Sequence, residues 1–242
     1  MIPSRLFGWE GFQEGAGLKK CILAVLAALL LSLCGLAFIV DNITDPGLMC
    51  SLMERFAPPE VSRLPADEYE PVADMIDDYL HGDTPIFQHI FAVNGAEYAA
   101  FNQKEQQHMA DVQGLFKLCN GQVWAFLTVA SIALIAEFHL FSEERTLRAF
   151  RRTLLVILAT VAAVVILAVI DFDSLFVLFH QIAFANDLWL LDPQTDLLIR
   201  LMPIEFFISY AAIIGCCWLL GMLAMLIFAT IRIRKLKATE GE

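Results

Sequence analysis

The sequence predicts a mainly α, polytopic membrane protein: four transmembrane helices with a small extracytoplasmic cap of short helices and a β-hairpin near residues 86–101. Three observations predict it. The 242 residues are 58% hydrophobic and only 18% charged, with a mean hydropathy of +0.65, whereas soluble domains average about 45–50% apolar and about 25% charged residues. Apolar runs near the ~20 residues that a helix needs to cross the hydrocarbon recur four times. The basic residues are gathered into three short segments, although the formal net charge is −11.

Residues 1–20 are a short polar head ending in Lys19 and Lys20. The first span is 21–40. Its apolar run exceeds the ~7–15 residues of a signal peptide, and DNITDPG follows it rather than a small-x-small cleavage site. The run Leu31-Ser32-Leu33-Cys34 resembles a lipoprotein signal only loosely, because Leu33 is large where a small residue is needed. Residues 41–120 form the cap, which is acidic through Asp67, Glu68, Glu70, Asp74, Asp77, Asp78 and Asp83. Leu48–Phe56 reads as a short helix stopped by Pro58-Pro59. Glu68–Leu80 places Val72, Met75, Ile76, Tyr79 and Leu80 at helical spacing and is closed by Gly82. Asn94-Gly95 between two apolar runs is a hairpin signal.

Asn102–Lys117 reads as a helix running into the second span, 122–141. Residues 142–152 read as a tight connector carrying Arg145, Arg148, Arg151 and Arg152. The third span is 153–170, an extracytoplasmic segment fills 171–205, and the fourth span is 206–231. The chain closes with 232–242, which holds Arg232, Arg234, Lys235 and Lys237. Cytoplasmic segments carry the excess of Lys and Arg, so 1–20, 142–152 and 232–242 are expected in the cytoplasm, with the cap and 171–205 outside. The expected location is a cell membrane, crossed several times.

No basic stripe exists beyond these orienting segments, which argues against a nucleic-acid partner. The six cysteines show neither CxxC nor Cys/His metal spacing. Cys50 and Cys119 both fall in the expected outer region, either free or paired with one another. No GxSxG elbow, HExxH helix or P-loop occurs. No cofactor is expected, and the oligomeric state is left open.

Residues 172–207 hold the densest collection of special side chains. His180 is flanked by Phe176, Phe179 and Phe184, followed by Asn186, Asp187, Trp189, Asp192-Pro193 and Asp196. Aromatic residues gather at membrane–water boundaries, and a histidine there is a candidate for proton chemistry. The second candidate is His108. On a helix, Glu105, His108 and Asp111 share one face, and a carboxylate beside a histidine holds its tautomer and raises its basicity. The plainer readings are a solvated His108, a packed interfacial His180, an aromatic belt at Trp189 and a turn at Asp192-Pro193. His81 and His89 read as ordinary cap residues. A two-histidine-plus-carboxylate metal site from His108, His180 and Asp111 is compatible by residue type.

Two stretches carry a resemblance: Glu105, His108-Met109 and Asp111-Val112 before the second span, and Phe179-His180, Phe184, Asn186-Asp187, Trp189, Asp192-Pro193, Thr195-Asp196, Leu198-Ile199, Pro203 and Phe206-Phe207 between the third and fourth. With them the chain resembles the small four-span family that includes the lipoprotein intramolecular transacylases of Gram-positive bacteria. The resemblance implies an acyltransferase whose substrates are diacylglyceryl-modified lipoproteins in membrane lipid. The sn-2 acyl chain would move to the α-amino group of the N-terminal cysteine, giving a lyso-form lipoprotein. The family's two functional histidines carry over onto His108 and His180, with Glu105, Asp111, Asn186, Trp189 and Asp192 in supporting or substrate-positioning roles. Two other classes remain open beside it: a non-catalytic membrane subunit or sensor with an acidic binding cap, and a metal-dependent membrane hydrolase using the same histidines.

Overall fold

The computed structural model describes the backbone of residues 10–239 and the side chains of residues 22–239. Lys19, Lys20 and Cys21 lie outside the described side chains, as do the last three residues. Nine α-helices and one hairpin are described: α1 (Glu10–Ile43), α2 (Pro46–Phe56), α3 (Pro59–Ser62), α4 (Tyr69–His81), β1 (Ile90–Val93), β2 (Ala96–Ala99), α5 (Gln103–Leu140), α6 (Glu143–Ile170), α7 (Phe172–Ala183), α8 (Leu197–Leu201) and α9 (Ile204–Thr239). Four helices are long and apolar enough to cross a membrane: α1 from Ile22, α5, α6 and α9. The fold is mainly α and polytopic, with one small two-stranded sheet.

The connector expected over 142–152 is itself helical. Only Phe141 and Ser142 separate α5 from α6. The segment holds no Gly or Pro, Glu143 and Glu144 occupy the first turn, and acidic residues there are favoured by the helix dipole. Glu144 and Arg148 then pair across one turn. Beyond the expected end of the fourth span, the basic run Arg232–Lys237 likewise continues α9, since Arg and Lys are good helix formers. A further helix, α7, has no counterpart among the elements expected from sequence. It starts one residue after α6, with Asp171 as its N-cap accepting from the Ser174 amide at 3.0 Å.

The chain divides into two compact units. The first comprises the part of α1 up to Gly35 with 123–163 and the chain from Trp218 onward. Small residues are buried along its helices, including Ala24, Ala27, Ala28, Ala130 and Ala229, which lets apolar helices approach closely. Trp218 Nε1 donates to the Ser32 carbonyl at 2.9 Å, and Ser32 Oγ donates to Met222 Sδ at 3.2 Å. Arg232 of α9 pairs with Glu143 of α6 at 2.5 Å.

The second unit, Leu36–Gln122 with Val164–Cys217, holds the cap. Asp45 caps α2 by accepting from the Leu48 amide at 3.0 Å, with Pro46 in the first turn. The amphipathic α4 buries Tyr69, Val72, Ala73, Ile76, Tyr79 and Leu80 and ends at Gly82 with φ +88°, a left-handed closure that glycine adopts freely. Its buried face joins Met53, Leu64, Phe87, Phe101, Met109, Leu201 and Phe206 in one core. The hairpin turn is Asn94-Gly95, both with positive φ (53° and 81°), as a type I′ turn requires. Phe91 faces Tyr98 across the strands. Cys50 and Cys119 are free thiols: Cys50 packs against the cap core from α2, and no disulfide joins it to α5.

Candidate active site

The site grows from the N-terminus of α5. A helix leaves its first amides without partners, and here Asn102 and Glu105 satisfy each other's. Asn102 Oδ1 accepts from the Glu105 amide at 3.1 Å while Glu105 Oε2 accepts from the Asn102 amide at 2.7 Å, a reciprocal capping box. The other oxygen, Oε1, accepts from the Leu198 amide at 2.6 Å. One buried carboxylate thereby holds the starts of α5 and α8 together. Burial pushes the Glu105 carboxyl up, against the amides that favour its charged form. Asp196, also buried, accepts from Asn102 Nδ2 and Thr195 Oγ1 (both 2.8 Å) and from the Asp192 amide at 2.7 Å. Against its burial, these bonds hold Asp196 below the usual carboxylate range.

His108 lies one turn beyond Glu105, in the polar stretch of α5 that precedes the apolar residues 122–141. It is 7% exposed. Its Nδ1 is buried and has no hydrogen-bond partner among the described residues. Burial, then the neighbouring His180, lowers its pKa to about 4, with Lys104 adding to the shift and Asp111 opposing it. His180 comes from α7 and is also 7% exposed. Its Nδ1 donates to the Phe176 carbonyl at 2.7 Å. A carbonyl only accepts, so the neutral ring carries its proton on Nδ1 and leaves the Nε2 lone pair available. Burial lowers the His180 pKa, and the bond to Phe176 opposes that.

The two imidazoles stand 6.1 Å apart between ring centroids. Aromatic rings enclose them: Phe176 at 4.2 Å, Trp189 at 5.0 Å and Phe179 at 5.2 Å from His180, with Phe184 at 5.3 Å from His108 and 5.5 Å from His180. The result is a pair of buried imidazoles in which His108 Nδ1 has no hydrogen-bond partner among the described residues.

The structure brings some of the expected residues together and separates others. Trp189 packs against His180 with the two rings tilted by 34°. Asn186 Nδ2 donates to Asp111 Oδ2 at 2.9 Å. Neither Glu105 nor Asp111 hydrogen-bonds His108, so the expected carboxylate–histidine contact is absent: Glu105 is taken by helix amides and Asp111 by Asn186. Asp192 is exposed and shapes a turn, accepting from the Gln194 amide at 2.8 Å. No group of three or more His, Cys, Asp and Glu side chains among the described residues is arranged to hold a metal ion. His81 and His89 belong to the cap, His89 bonding Glu68 at 2.7 Å and His81 lying between Asp41 and Asp77. Sequence reasoning does not single out the roles of Asn102, Asp196, Lys104 and Phe176. The Asn102-x-x-Glu105 spacing is a readable signal for the first, and the position of Lys104 four residues before His108 for the third.

Fold and site together define a membrane-integral protein with a buried histidine pair in its cap-bearing unit. The family profile described as lipoprotein intramolecular transacylase Lit matches residues 22–207, and the chain belongs to that family of membrane acyltransferases. Its fold is similar to that of the membrane-integral lipoprotein intramolecular transacylase Lit from Bacillus cereus (TM-score 0.66, 19% identity, 93% of this chain and 98% of that one). Two variants of the same B. cereus protein, with one histidine replaced by alanine or by arginine, are similar as well. Their TM-scores are 0.62 and 0.61 at 20% and 21% identity; the alanine variant covers 94% of this chain and 98% of its own, the arginine variant 95% of each. Among curated proteins, none matches the chain.

Proposed function

We propose that this acyltransferase moves the sn-2 acyl chain of a diacylglyceryl-modified lipoprotein onto the α-amino group of its N-terminal cysteine. The observation that carries this reading is the His108–His180 pair, two buried imidazoles 6.1 Å apart, with His108 Nδ1 unpartnered among the described residues. Amine and ester belong to one substrate, so attack is intramolecular through an eight-membered ring, and positioning supplies much of the acceleration. No enzymatic nucleophile is required.

The amine nitrogen attacks the acyl carbon and gives its proton to His180 Nε2, the lone pair that the Phe176 bond leaves free. The carbonyl oxygen becomes an oxyanion and accepts a hydrogen bond from His108. A neutral imidazole suits this role, because with its pKa near 4 it donates without becoming a competing cation. The intermediate collapses as the acyl carbon–glyceryl oxygen bond breaks, and His180 returns the proton to that oxygen. Phe176, Phe179 and Phe184 provide apolar surface for acyl chains, each methylene contributing about 0.8 kcal/mol on burial.

The clustering of basic residues supports cytoplasmic termini and an extracytoplasmic site. Mass spectrometry of N-terminal lipopeptides tests the reaction, in a host that makes diacylglyceryl lipoproteins and lacks its own N-acylation. The wild-type chain is expected to shift one acyl group to the amine without changing total mass, and His108→Ala and His180→Ala are expected to leave it on the glyceryl. An unchanged fragment pattern with folded wild-type protein present would remove the reading.

A further inference from the structure

The segment from Phe184 to Leu191, between α7 and α8, is fastened to α5 at two points that straddle His108. Four residues before His108, Lys104 Nζ donates to the Leu190 carbonyl. Three residues after it, Asp111 accepts from Asn186 Nδ2 at 2.9 Å. Positions 104, 108 and 111 fall on one helix face, so both fastenings and the histidine line up beneath the segment. Asn186 Oδ1 also accepts from the Leu188 amide at 3.0 Å, a local turn that stiffens it. Between the fastenings, Trp189 is set against His180, and Phe184 at the segment's start touches both imidazoles.

Burial bears on access. With each histidine 7% exposed, a lipid ester and an amine have little direct access to them as they stand. The two fastenings are solvent-exposed, so water competes for donor and acceptor alike and lowers their net strength. The next stretch, by contrast, is anchored by buried Asp196 and Glu105. Between its ends the segment is therefore held less firmly than the stretch that follows it.

We infer that residues 184–191 form a strap over the histidine pair, with Lys104 and Asn186 as the positioning residues that latch it. The inference rests on the acyl-transfer reading for its purpose: closure keeps water from the acyl carbon, where water would break the ester and release a free fatty acid instead of transferring it.

The test uses the purified full chain in detergent and diethyl pyrocarbonate, which modifies accessible neutral imidazoles, with each histidine followed by peptide mass spectrometry. Wild type, Lys104→Met, Lys104→Arg and Asn186→Ala are compared, with N-acetylhistidine added to each solution as the reference for a fully accessible imidazole. Labelling of His180 and His108 is expected to be slow in wild type and in Lys104→Arg, which retains a donor. It is expected to rise several-fold in Lys104→Met and Asn186→Ala while the reference is unchanged, and in lipopeptide assays these two variants should divert product toward free fatty acid. Equal labelling in all four proteins, or wild-type labelling of His180 as fast as the reference, would overturn the strap. The labelling is independent of the reaction: a wild type that fails to transfer acyl groups but shows the latch pattern sinks the transacylase reading alone. Because the two latches are changed separately, a misfolded variant at one leaves the other to decide.

Discussion

Glu105 and Leu198 are joined across 93 residues of sequence by one buried hydrogen bond, the carboxylate accepting the amide at 2.6 Å. The same carboxylate caps α5, so His108 is placed by a group that never touches it. Glu105→Ala would leave the Asn102 and Leu198 amides without acceptors, at a cost of about 1–3 kcal/mol for each. Glu105→Gln keeps one carbonyl oxygen for two donors and should lose about half as much. Thermal unfolding in detergent checks the order: wild type, then Gln, then Ala.

Asp192 and His180 lie in the same 171–205 segment and differ sharply in environment. Asp192 is exposed and only shapes a turn, so Asp192→Ala should reduce kcat far less than His180→Ala. Loss of a general acid–base group is worth roughly 10²–10⁴-fold. Single-turnover rates at matched protein levels are the measurement, and equal losses would contradict the assignment.

The buried histidines make stability fall in acid. His108 is neutral when folded, with its pKa lowered from 6.5 to about 4. The unfolded chain therefore takes up the proton first as pH falls. The stabilisation is complete above pH 6.5 and is lost between there and about 4, and for a 2.5-unit shift it amounts to about 3 kcal/mol. His180 is shifted the same way. His108→Phe should flatten the fall in unfolding temperature between pH 6.5 and 5.

His81 produces the opposite slope. It sits between Asp41 of α1 (3.5 Å) and Asp77 of α4 (3.1 Å), with the Phe116 ring of α5 beside it. Against its burial, bonds to the Asp77 and Asp41 carbonyls and the charges of both carboxylates raise its pKa above 6.5. Its contribution is full below 6.5 and disappears as pH rises through the raised value. His81→Gln should remove the loss of stability on the alkaline side and leave the acid side intact, a contrast that melting curves at pH 6 and pH 8.5 will show.

Much of the fold is legible in the sequence because its signals are local. Four apolar runs, Pro58-Pro59 and Gly82 at helix ends, and Asn94-Gly95 at the hairpin each announce an element within a few residues. The helical start of α6 is hidden because four arginines suggest a loop, although charge sets the side of the membrane and not the backbone conformation. His108 and His180 are legible as candidates by type and neighbourhood. Glu105 is legible on the face of His108 but not in its role, because the unpaired amides at the start of a helix compete for a nearby carboxylate and win. Lys104 and Asp196 act on atoms 86 and 94 residues away, and no local pattern encodes such partners.

The bond from His180 Nδ1 to the Phe176 carbonyl has a consequence for the route of the proton. With Nδ1 committed, the ring can load and unload only at Nε2, so in the proposed reaction the proton taken from the amine would be the one delivered to the glyceryl oxygen. Each cycle of that reaction would end with the imidazole as it began, drawing nothing from bulk water or from the gradient across the membrane.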